Sequence, residues 1–336
     1  MQFLYILISN PNDIYYEQFI LSITSLRLIM PSAVVVLLCD TKTKENLVVN
    51  RAGYEKLVNK VITVNAPDDM PQVEVSRWIK TSMRRLVSGD FLYIDNDTII
   101  VEDLSSISDT EIKFGACLDK HSLLDKHHKA DNIIERDKFL GFSSYLSNRH
   151  INSGIIYCVD TPEAHKAFDR WHELWKFSNS KNVVRDQPSF NMAIYENSSI
   201  FTELDGIWNC QISFNGLRFL ANSKIIHYFA SDLSLHETPF ILASDSILKK
   251  IKETGKIPEE TVKFLTNPRT AFVSECQIIS GEKMLSVFNS NIFDVIFRIK
   301  AKSPKLFIFI DNLFFGLKKI IKFFILIFSK KVKKYY

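Results

Sequence analysis

The feature that most constrains the fold is a series of largely apolar runs that alternate with helical patterns. Apolar runs occupy residues 2–8, 33–39, 61–64 and 91–101. Apolar residues recur at helical spacing between them, from Phe19 to Met30 and from Val75 to Val87. Strands that are apolar on both faces and separated by helices indicate a mostly parallel sheet with helices on both sides. The sequence therefore predicts an α/β fold.

The run Phe91–Val101 is interrupted in its middle by two acids, Asp95 and Asp97. An ionised carboxylate in a buried strand is costly unless it has a partner or a metal. Two carboxylates at positions i and i+2 of a strand end can converge on one divalent cation, which favours oxygen ligands. A polar turn between two strands is the alternative interpretation.

The position of these acids in the predicted sheet favours the metal site. In parallel α/β sheets, ligands bind beyond the carboxyl ends of the strands. Asn10 and Asp13 follow the first apolar run, and Asp95 and Asp97 follow the start of the fourth. We therefore expect the two segments to lie close together.

Charge and cysteine usage restrict the partners and the compartment. Of a net charge of +4, residues 298–336 carry about +10, from eleven Lys and Arg against one acid, so residues 1–297 carry about −6. An acidic body does not favour a nucleic-acid partner, because the positive charge belongs to one segment. The five cysteines lie far apart without C-x-x-C spacing. This predicts reduced, buried thiols in a cytoplasmic protein.

The basic segment is also apolar. Residues 306–328 are long enough to cross a bilayer, but Asp311 and three lysines fall on one side of a helix there. Burying these charges at bilayer depth is costly. The pattern predicts that residues 303–336 lie on an anionic membrane surface. Packing against the protein's own body or a partner is the alternative.

Several further polar residues fit structural roles. His121, Asp125 and His128 have helical spacing, which fits either a second metal site or a solvated helix or flap. Asp186 precedes a predicted helix and fits an N-cap. His227 follows a short strand and fits either a structural residue or a ligand.

The polar motifs occur in a characteristic order: Asn and Asp after the first strand, Arg before D-x-D, then A-C-x-D, N-S-G, D-Q, W-N and strand-H-Y. Over residues 1–230 this order resembles glycosyltransferase family 8, retaining enzymes that include glycogenin and bacterial lipopolysaccharide galactosyl- and glucosyltransferases. The resemblance implies a GT-A fold with Mn²⁺ or Mg²⁺ on the diphosphate of a UDP-sugar. We expect a catalytic domain at 1–240, a helical extension at 241–300 and the basic tail at 301–336.

The resemblance also assigns roles to residues of this chain. Asn10 and Asp13 would contact the uridine, and Asp119 and Asn152 would contact the sugar. Arg77 and Lys80 would hold the donor, with Asn96 beside them in the D-x-D motif. The metal ligands would be Asp95, Asp97 and His227, and the pair beside the anomeric carbon would be Asp186 and Gln187.

Two features of the sequence bear on the reaction mechanism and on the contacts to the diphosphate. Gln187 is a poor nucleophile, which favours a same-face mechanism over double displacement. The family commonly continues after the metal-binding His with a Gly and then Lys-Pro-Trp. Here Tyr228 follows His227, and neither that Gly nor that Lys is present. Contacts to the diphosphate are then expected from other residues.

The sequence thus predicts a hexosyltransferase that acts in lipopolysaccharide or capsule biosynthesis, on a glycan or lipid-linked acceptor. We expect it in the cytoplasm, peripheral on the inner face of the cell membrane. A nucleotidyltransferase on a related sheet is the enzymatic alternative, although no Gly-rich phosphate loop follows the first strand. A membrane-bound sugar-nucleotide or glycan-binding protein without turnover is the non-enzymatic one.

Overall fold

A computed structural model describes residues 1–51, 53–67, 69–212, 215–228, 242, 245–272, 287 and 290–317. The described residues up to 272 belong to one compact unit, and those from 287 onward belong to a second. The expected domain boundaries at 240 and 300 stay predictions.

The first unit alternates strands and helices, as the apolar runs predict. Its described strands are β1 (Gln2–Ile6), β2 (Val35–Asp40), β3 (Lys60–Val64), β4 (Phe91–Ile94), β5 (Thr98–Ile100), β6 (Phe114–Leu118), β7 (Ile151–Cys158), β8 (Phe201–Glu203), β9 (Cys210–Gln211) and β10 (Ile225–His227). Its described helices are α1 (Tyr15–Ile29), α2 (Thr41–Asn50), α3 (Gln72–Leu86), α4 (Ala130–Leu140), α5 (Pro162–Ser180), α6 (Gln187–Glu196), α7 (Asp245–Thr254), α8 (Glu259–Thr266) and α9 (Pro268–Ala271).

Seven strands form the main sheet, in the order β3-β2-β1-β4-β7-β6-β8. The pairs β2–β3, β1–β2, β1–β4 and β6–β8 are parallel, whereas β7 runs antiparallel to both β4 and β6. Consecutive residues of β1 and β2 enter two separate apolar cores, one on each face. The predicted mostly parallel α/β sheet, buried on both faces, is confirmed.

The run 91–101 contributes to two different sheets. Its first part is β4 in the main sheet, and its last part is β5 in a three-stranded sheet with the order β5-β10-β9. Strand β10 is antiparallel to β5, with His227 opposite Thr98. The acids at 95 and 97 lie in the bend between the two sheets. Because β10 pairs with β5, its last residue, His227, lies beside this bend.

Side chains cap the starts of two helices. The Asp40 side chain accepts a hydrogen bond from the Thr43 backbone at the start of α2, and Thr161 accepts one from Ala164 at the start of α5. Each side chain satisfies a backbone N–H that the first helical turn leaves unpaired.

The helical spacing of His121, Asp125 and His128 is misleading. Residues 119–121 and 124–126 form separate short 3₁₀ turns, and the helix of this region begins only at Ala130. Lys120 and His121 have φ of 54° and 50°, in the left-handed region that interrupts a right-handed helix. The prediction that these three residues share one helical face is wrong.

The second unit contains α10 (Asn291–Lys302) and a helical stretch at 304–317. Large apolar side chains are exposed along both, including Ile292, Phe309 and Phe314 at 72%, 60% and 64% of their surface. None of the described helices is both long and apolar enough to traverse a bilayer. The rest of the basic tail, 318–336, lies outside the described residues.

Candidate active site

Two carboxylates and an imidazole converge where β4 ends. One ligand atom each from Asp95, Asp97 and His227 lie within 4.8 Å of one another. The His227 Nε2 atom is 3.2 Å from Asp97 Oδ1. Among the residues that the structure describes, this is the one such group of three or more metal-ligating side chains. Carboxylate oxygens and an imidazole nitrogen suit a divalent ion of the Mn²⁺ or Mg²⁺ type.

The site has no room for a side chain at Gly154 in β7. A Cβ atom there would lie 2.5 Å from His227 Cε1, and 2.9 Å from both Asp95 Oδ2 and Asn152 Oδ1. The Gly154 carbonyl also accepts a hydrogen bond from the Asp95 backbone N–H, at 2.8 Å. The glycine of the N-S-G motif therefore lets β7 approach the acids closely.

Two cations of α3 contact the acids of the site, and one of them, Lys80, joins Asp95 to Asp186. Lys80 Nζ lies 3.2 Å from Asp95 Oδ1 and 3.5 Å from Asp186 Oδ2, and its side chain is buried. Arg77 Nε lies 3.0 Å from Asp186 Oδ1. Residues 77 and 80 are three apart, so they point from the same face of α3 into the site. The structure thus brings together both cations that the sequence predicts to hold a donor.

Asp186 does not act as an N-cap through its side chain. Helix α6 begins at Gln187, but the Asp186 carboxylate makes no capping hydrogen bond and accepts instead from Ser153 Oγ, at 2.8 Å. Burial alone would raise the pKa of this carboxyl, but the charges of Lys80 and Arg77 lower it to about 2. Asp186 is therefore an ionised acid whose two oxygens are both engaged.

A second buried acid, Asp119, lies beyond β6 against Asn152. Its carboxylate accepts from Asn152 Nδ2 at 2.8 Å and lies 3.0 Å from His127 Nε2. Burial opposes its ionisation, but Lys120 and these neighbours hold the pKa of Asp119 well below its usual value. The two residues predicted to contact the sugar are thus in direct contact with each other.

Gln187 projects from the first turn of α6. Its side-chain amide donates to His150 Nε2 at 3.0 Å, because an amide nitrogen can only donate. Burial lowers the pKa of His150 to about 4, so the ring is neutral near pH 7 and can accept this bond. His150 therefore orients the Gln187 amide.

The loop after β1 is organised around Asp13. Its carboxylate accepts hydrogen bonds from Ser9 Oγ at 2.6 Å, from the Asn10 backbone N–H at 2.8 Å and from Gln72 Nε2 at 2.7 Å. Asn10 also bonds to Gln72 through its side chain. Both side chains lie at the carboxyl end of β1, as predicted, but there they shape the loop. Their contact with uridine stays a prediction.

Asn96 braces this end of the sheet from between the two acids. Its Nδ2 atom donates to the carbonyl of Ile6 at 2.9 Å, while its Oδ1 atom is buried and has no hydrogen-bond partner among the described residues. An unsatisfied buried acceptor costs free energy. The hydrogen bond to Ile6 holds the D-x-D bend against β1. The expected contact of Asn96 with the donor stays a prediction.

Several site residues escape prediction from the sequence. Tyr93 donates to Asp95 Oδ1, and the two-residue period of β4 is a signal that could have revealed it. Asn209, from the W-N motif, bonds to both Asn152 and His227. Gln211 bonds to the Leu118 carbonyl and the Lys120 N–H. For Gln211, and likewise for His150, no local pattern signals the role, because their partners are distant in sequence.

The model of the family described as glycosyl transferase family 8 matches residues 12–232, about two thirds of the chain. The chain belongs to this family, and its family makes it a glycosyltransferase. The predicted family, and with it the predicted fold class, a GT-A type α/β sheet flanked by helices, are confirmed.

Comparison with other proteins adds distant similarities. Solved structures that match include galactosyltransferase LgtC in complex with donor and acceptor sugar analogues, at 14% identity and TM-score 0.47, over 78% of this chain and 99% of that one. Mouse xyloside xylosyltransferase 1 matches at 13% identity and TM-score 0.44, over 68% and 97%. GlyE of Streptococcus pneumoniae matches at 15% identity and TM-score 0.46, over 80% and 63%. A search of curated protein sequences finds no match.

Proposed function

We propose that the chain is a metal-dependent, retaining hexosyltransferase that uses a UDP-sugar, with Mn²⁺ or Mg²⁺ held by Asp95, Asp97 and His227. The observation that carries this proposal is the convergence of these three side chains beside Asp186 and Gln187. When bound, a divalent ion would neutralise the negative charge that develops on the leaving diphosphate. The acceptor would be a cell-surface glycan or a lipid-linked sugar, as in lipopolysaccharide or capsule biosynthesis.

The other residues of the site have separate roles in binding the donor and in transfer of the sugar. Arg77 and Lys80 bring positive charge to the donor, and Asp119 with Asn152 offers a carboxylate and an amide to sugar hydroxyls. Asp186 is a weak nucleophile, because its oxygens bond to cations and to Ser153 and its pKa is lowered to about 2. Gln187 is uncharged, so its oxygen stabilises a positively charged sugar without forming an ester. These properties support same-face transfer, in which the departing phosphate takes the acceptor proton.

The decisive experiment measures UDP release and sugar transfer over a panel of UDP-sugars, with and without Mn²⁺. Replacing Asp95 and Asp97 by Asn should reduce Mn²⁺-dependent turnover at least 100-fold, since a ligand carboxylate is lost at each position. Asp109→Asn, outside the site, serves as the matched control and should retain activity. Unchanged turnover in the double variant would refute the metal role. Release of pyrophosphate would favour a nucleotidyltransferase, and UDP binding that ignores Mn²⁺ would favour a non-catalytic binder.

We also propose that the basic C-terminal segment docks on an anionic membrane from the cytoplasmic side. The exposed apolar side chains of α10 and 304–317 support insertion into the interface, and the lysines of 303–336 support attraction to anionic lipid. The described cysteines, which are free and buried, support a reducing compartment.

Vesicle flotation tests this second proposal. Phe309→Asp with Phe314→Asp should reduce binding to vesicles that contain phosphatidylglycerol, whereas Phe139→Asp, equally exposed at 67% in α4, should not. Equal binding to neutral and anionic vesicles would contradict the electrostatic part.

A further inference from the structure

Two buried asparagines connect the predicted sugar site to the predicted metal site. Asn152 Nδ2 donates to Asp119 Oδ1 at 2.8 Å. Asn209 Nδ2 donates to Asn152 Oδ1 at 2.9 Å, and Asn209 Oδ1 lies 2.9 Å from His227 Nδ1. Both amides are almost fully buried, at 4% and 0% exposure, so water does not replace these partners.

A hydrogen-bonded neighbour fixes the orientation of each of these two side-chain amides. The backbone N–H of Gly154 bonds to the side chain of Asn152 at 2.9 Å, and a backbone N–H can only donate. The atom that it meets is therefore Asn152 Oδ1. The same oxygen faces Asn209, which must present its NH₂ group there and its oxygen to His227. Rotating the Asn152 amide by 180° would place its NH₂ group against the Gly154 N–H, two donors, and rotating the Asn209 amide would place its oxygen against Asn152 Oδ1, two acceptors.

This fixed orientation determines the tautomer of the histidine. Since Asn209 Oδ1 is an acceptor, His227 Nδ1 must carry a proton, and Nε2 is the ring nitrogen that faces Asp97. In metal sites, the partner of the second ring nitrogen sets the orientation of a histidine ligand and raises its basicity.

We propose that Asn209 is a positioning residue, which holds His227 with Nε2 toward the metal and transmits the geometry of the Asp119–Asn152 pair to it. The inference rests on the metal site of the proposed function. It adds an uncharged residue whose side chain bonds to Asn152 and His227 and which is not one of the three proposed metal ligands. Its effect is therefore exerted through His227.

Two substitutions separate positioning from a merely structural role. Asn209→Leu removes both hydrogen bonds at similar volume, whereas Asn209→Asp loses the donor to Asn152 Oδ1 but keeps an acceptor for His227 Nδ1. Titration with Mn²⁺ alone, followed by electron paramagnetic resonance of the free ion, should show binding 10- to 100-fold weaker in the Leu variant. The Asp variant should remain within about threefold of wild type, because the acceptor is retained. A structural role predicts the opposite order, since a buried charge destabilises more than leucine.

Asn191→Leu is the matched control. Asn191 is another buried asparagine, whose amide bonds to the backbone of Ile151 and of Gln187 and not to His227. Its loss should leave the affinity for Mn²⁺ within twofold of wild type. Nitrogen-15 NMR of the His227 ring in the metal-free wild-type protein supplies a reading that needs no variant, and it should show a proton on Nδ1.

The outcomes distinguish this inference from the proposed function. Equal affinity for Mn²⁺ in wild type and Asn209→Leu would overturn the inference while leaving the metal site in place. A His227 ring protonated on Nε2 alone would overturn it even if the Leu variant failed to fold. Absence of Mn²⁺ binding by the wild-type protein would overturn the metal site itself, and the positioning role with it.

Discussion

Replacing Gly154 by alanine should damage the metal site more than the fold. The added Cβ would lie 2.5 Å from His227 Cε1, and ordinary van der Waals contact begins at 3.4 Å, so something must move by about 0.9 Å. The ring cannot yield easily, because it is buried and bonded to Asn209. Metal–ligand distances tolerate only about 0.2 Å. We expect affinity for Mn²⁺ to fall at least 10- to 100-fold.

The same substitution should cost stability as any overpacked position does, by about 1–3 kcal/mol. Gly115→Ala in β6 is the matched control. Its Cβ would meet Leu204 Cδ2 at 2.8 Å, among apolar side chains away from the acids. We expect Gly115→Ala to lose comparable stability and to keep the wild-type affinity for Mn²⁺.

Urea unfolding and titration with Mn²⁺, measured on both variants, separate the two effects. Wild-type affinity in Gly154→Ala would refute the argument that this glycine is required by the site. An equal loss of affinity in both variants would show that general overpacking, rather than contact with His227, is responsible.

Three further perturbations test other parts of the structure. Burial lowers the pKa of His172 from 6.5 to about 4, so the unfolded chain alone takes up this proton as pH falls from 6.5 to 4 and stability declines. His172→Gln should flatten the pH dependence of the unfolding free energy by up to about 1.4 kcal/mol per pH unit; an unchanged slope in urea titrations at pH 7, 6 and 5 would contradict this. Lys80→Met removes a cation 3.2 Å from Asp95 and should tighten Mn²⁺ binding roughly fivefold without donor, about 1 kcal/mol, while lowering sugar transfer. Unchanged or weaker Mn²⁺ binding in that titration would show that the lysine does not compete with the ion. Four cysteines are free and buried: Cys39, Cys117, Cys158 and Cys210. In a Cys276→Ser background, these thiols should react with Ellman's reagent only at the rate of unfolding, because they are buried. A rapid reaction of the native protein would argue against that burial.

The fold was largely predictable because its signals are local. Each strand of the parallel half of the sheet is mostly apolar, and the caps Asp40 and Thr161 act on backbone groups three residues away. The D-x-D motif was recognisable for the same reason, since both acids lie in one interrupted run. The motif order then gave the family, which the match over residues 12–232 confirms.

The failures of prediction concern backbone conformation and distant contacts. Helical spacing misassigned His121 to a helical face, because Lys120, unlike a glycine, gives no signal in the sequence of its positive φ. Asp186 matched an N-cap by position, but its partners Arg77 and Lys80 lie about a hundred residues earlier, and their attraction decides its role. Asn209 is likewise defined by residues 57 and 18 positions away.

The proposed active site has a metal half and a sugar half that share partners, and this sharing requires many buried polar groups. Lys80 lies between Asp95 of the metal half and Asp186 of the sugar half. If Asp95 shared its charge with a divalent ion, the attraction between Lys80 and Asp95 would weaken, and Lys80 would be free to interact with Asp186 and a donor. Asn152 and Asn209 connect the same two halves without charge. Occupancy of the metal half should therefore change the affinity of the other half for the sugar, and linkage requires the reverse effect to be equal.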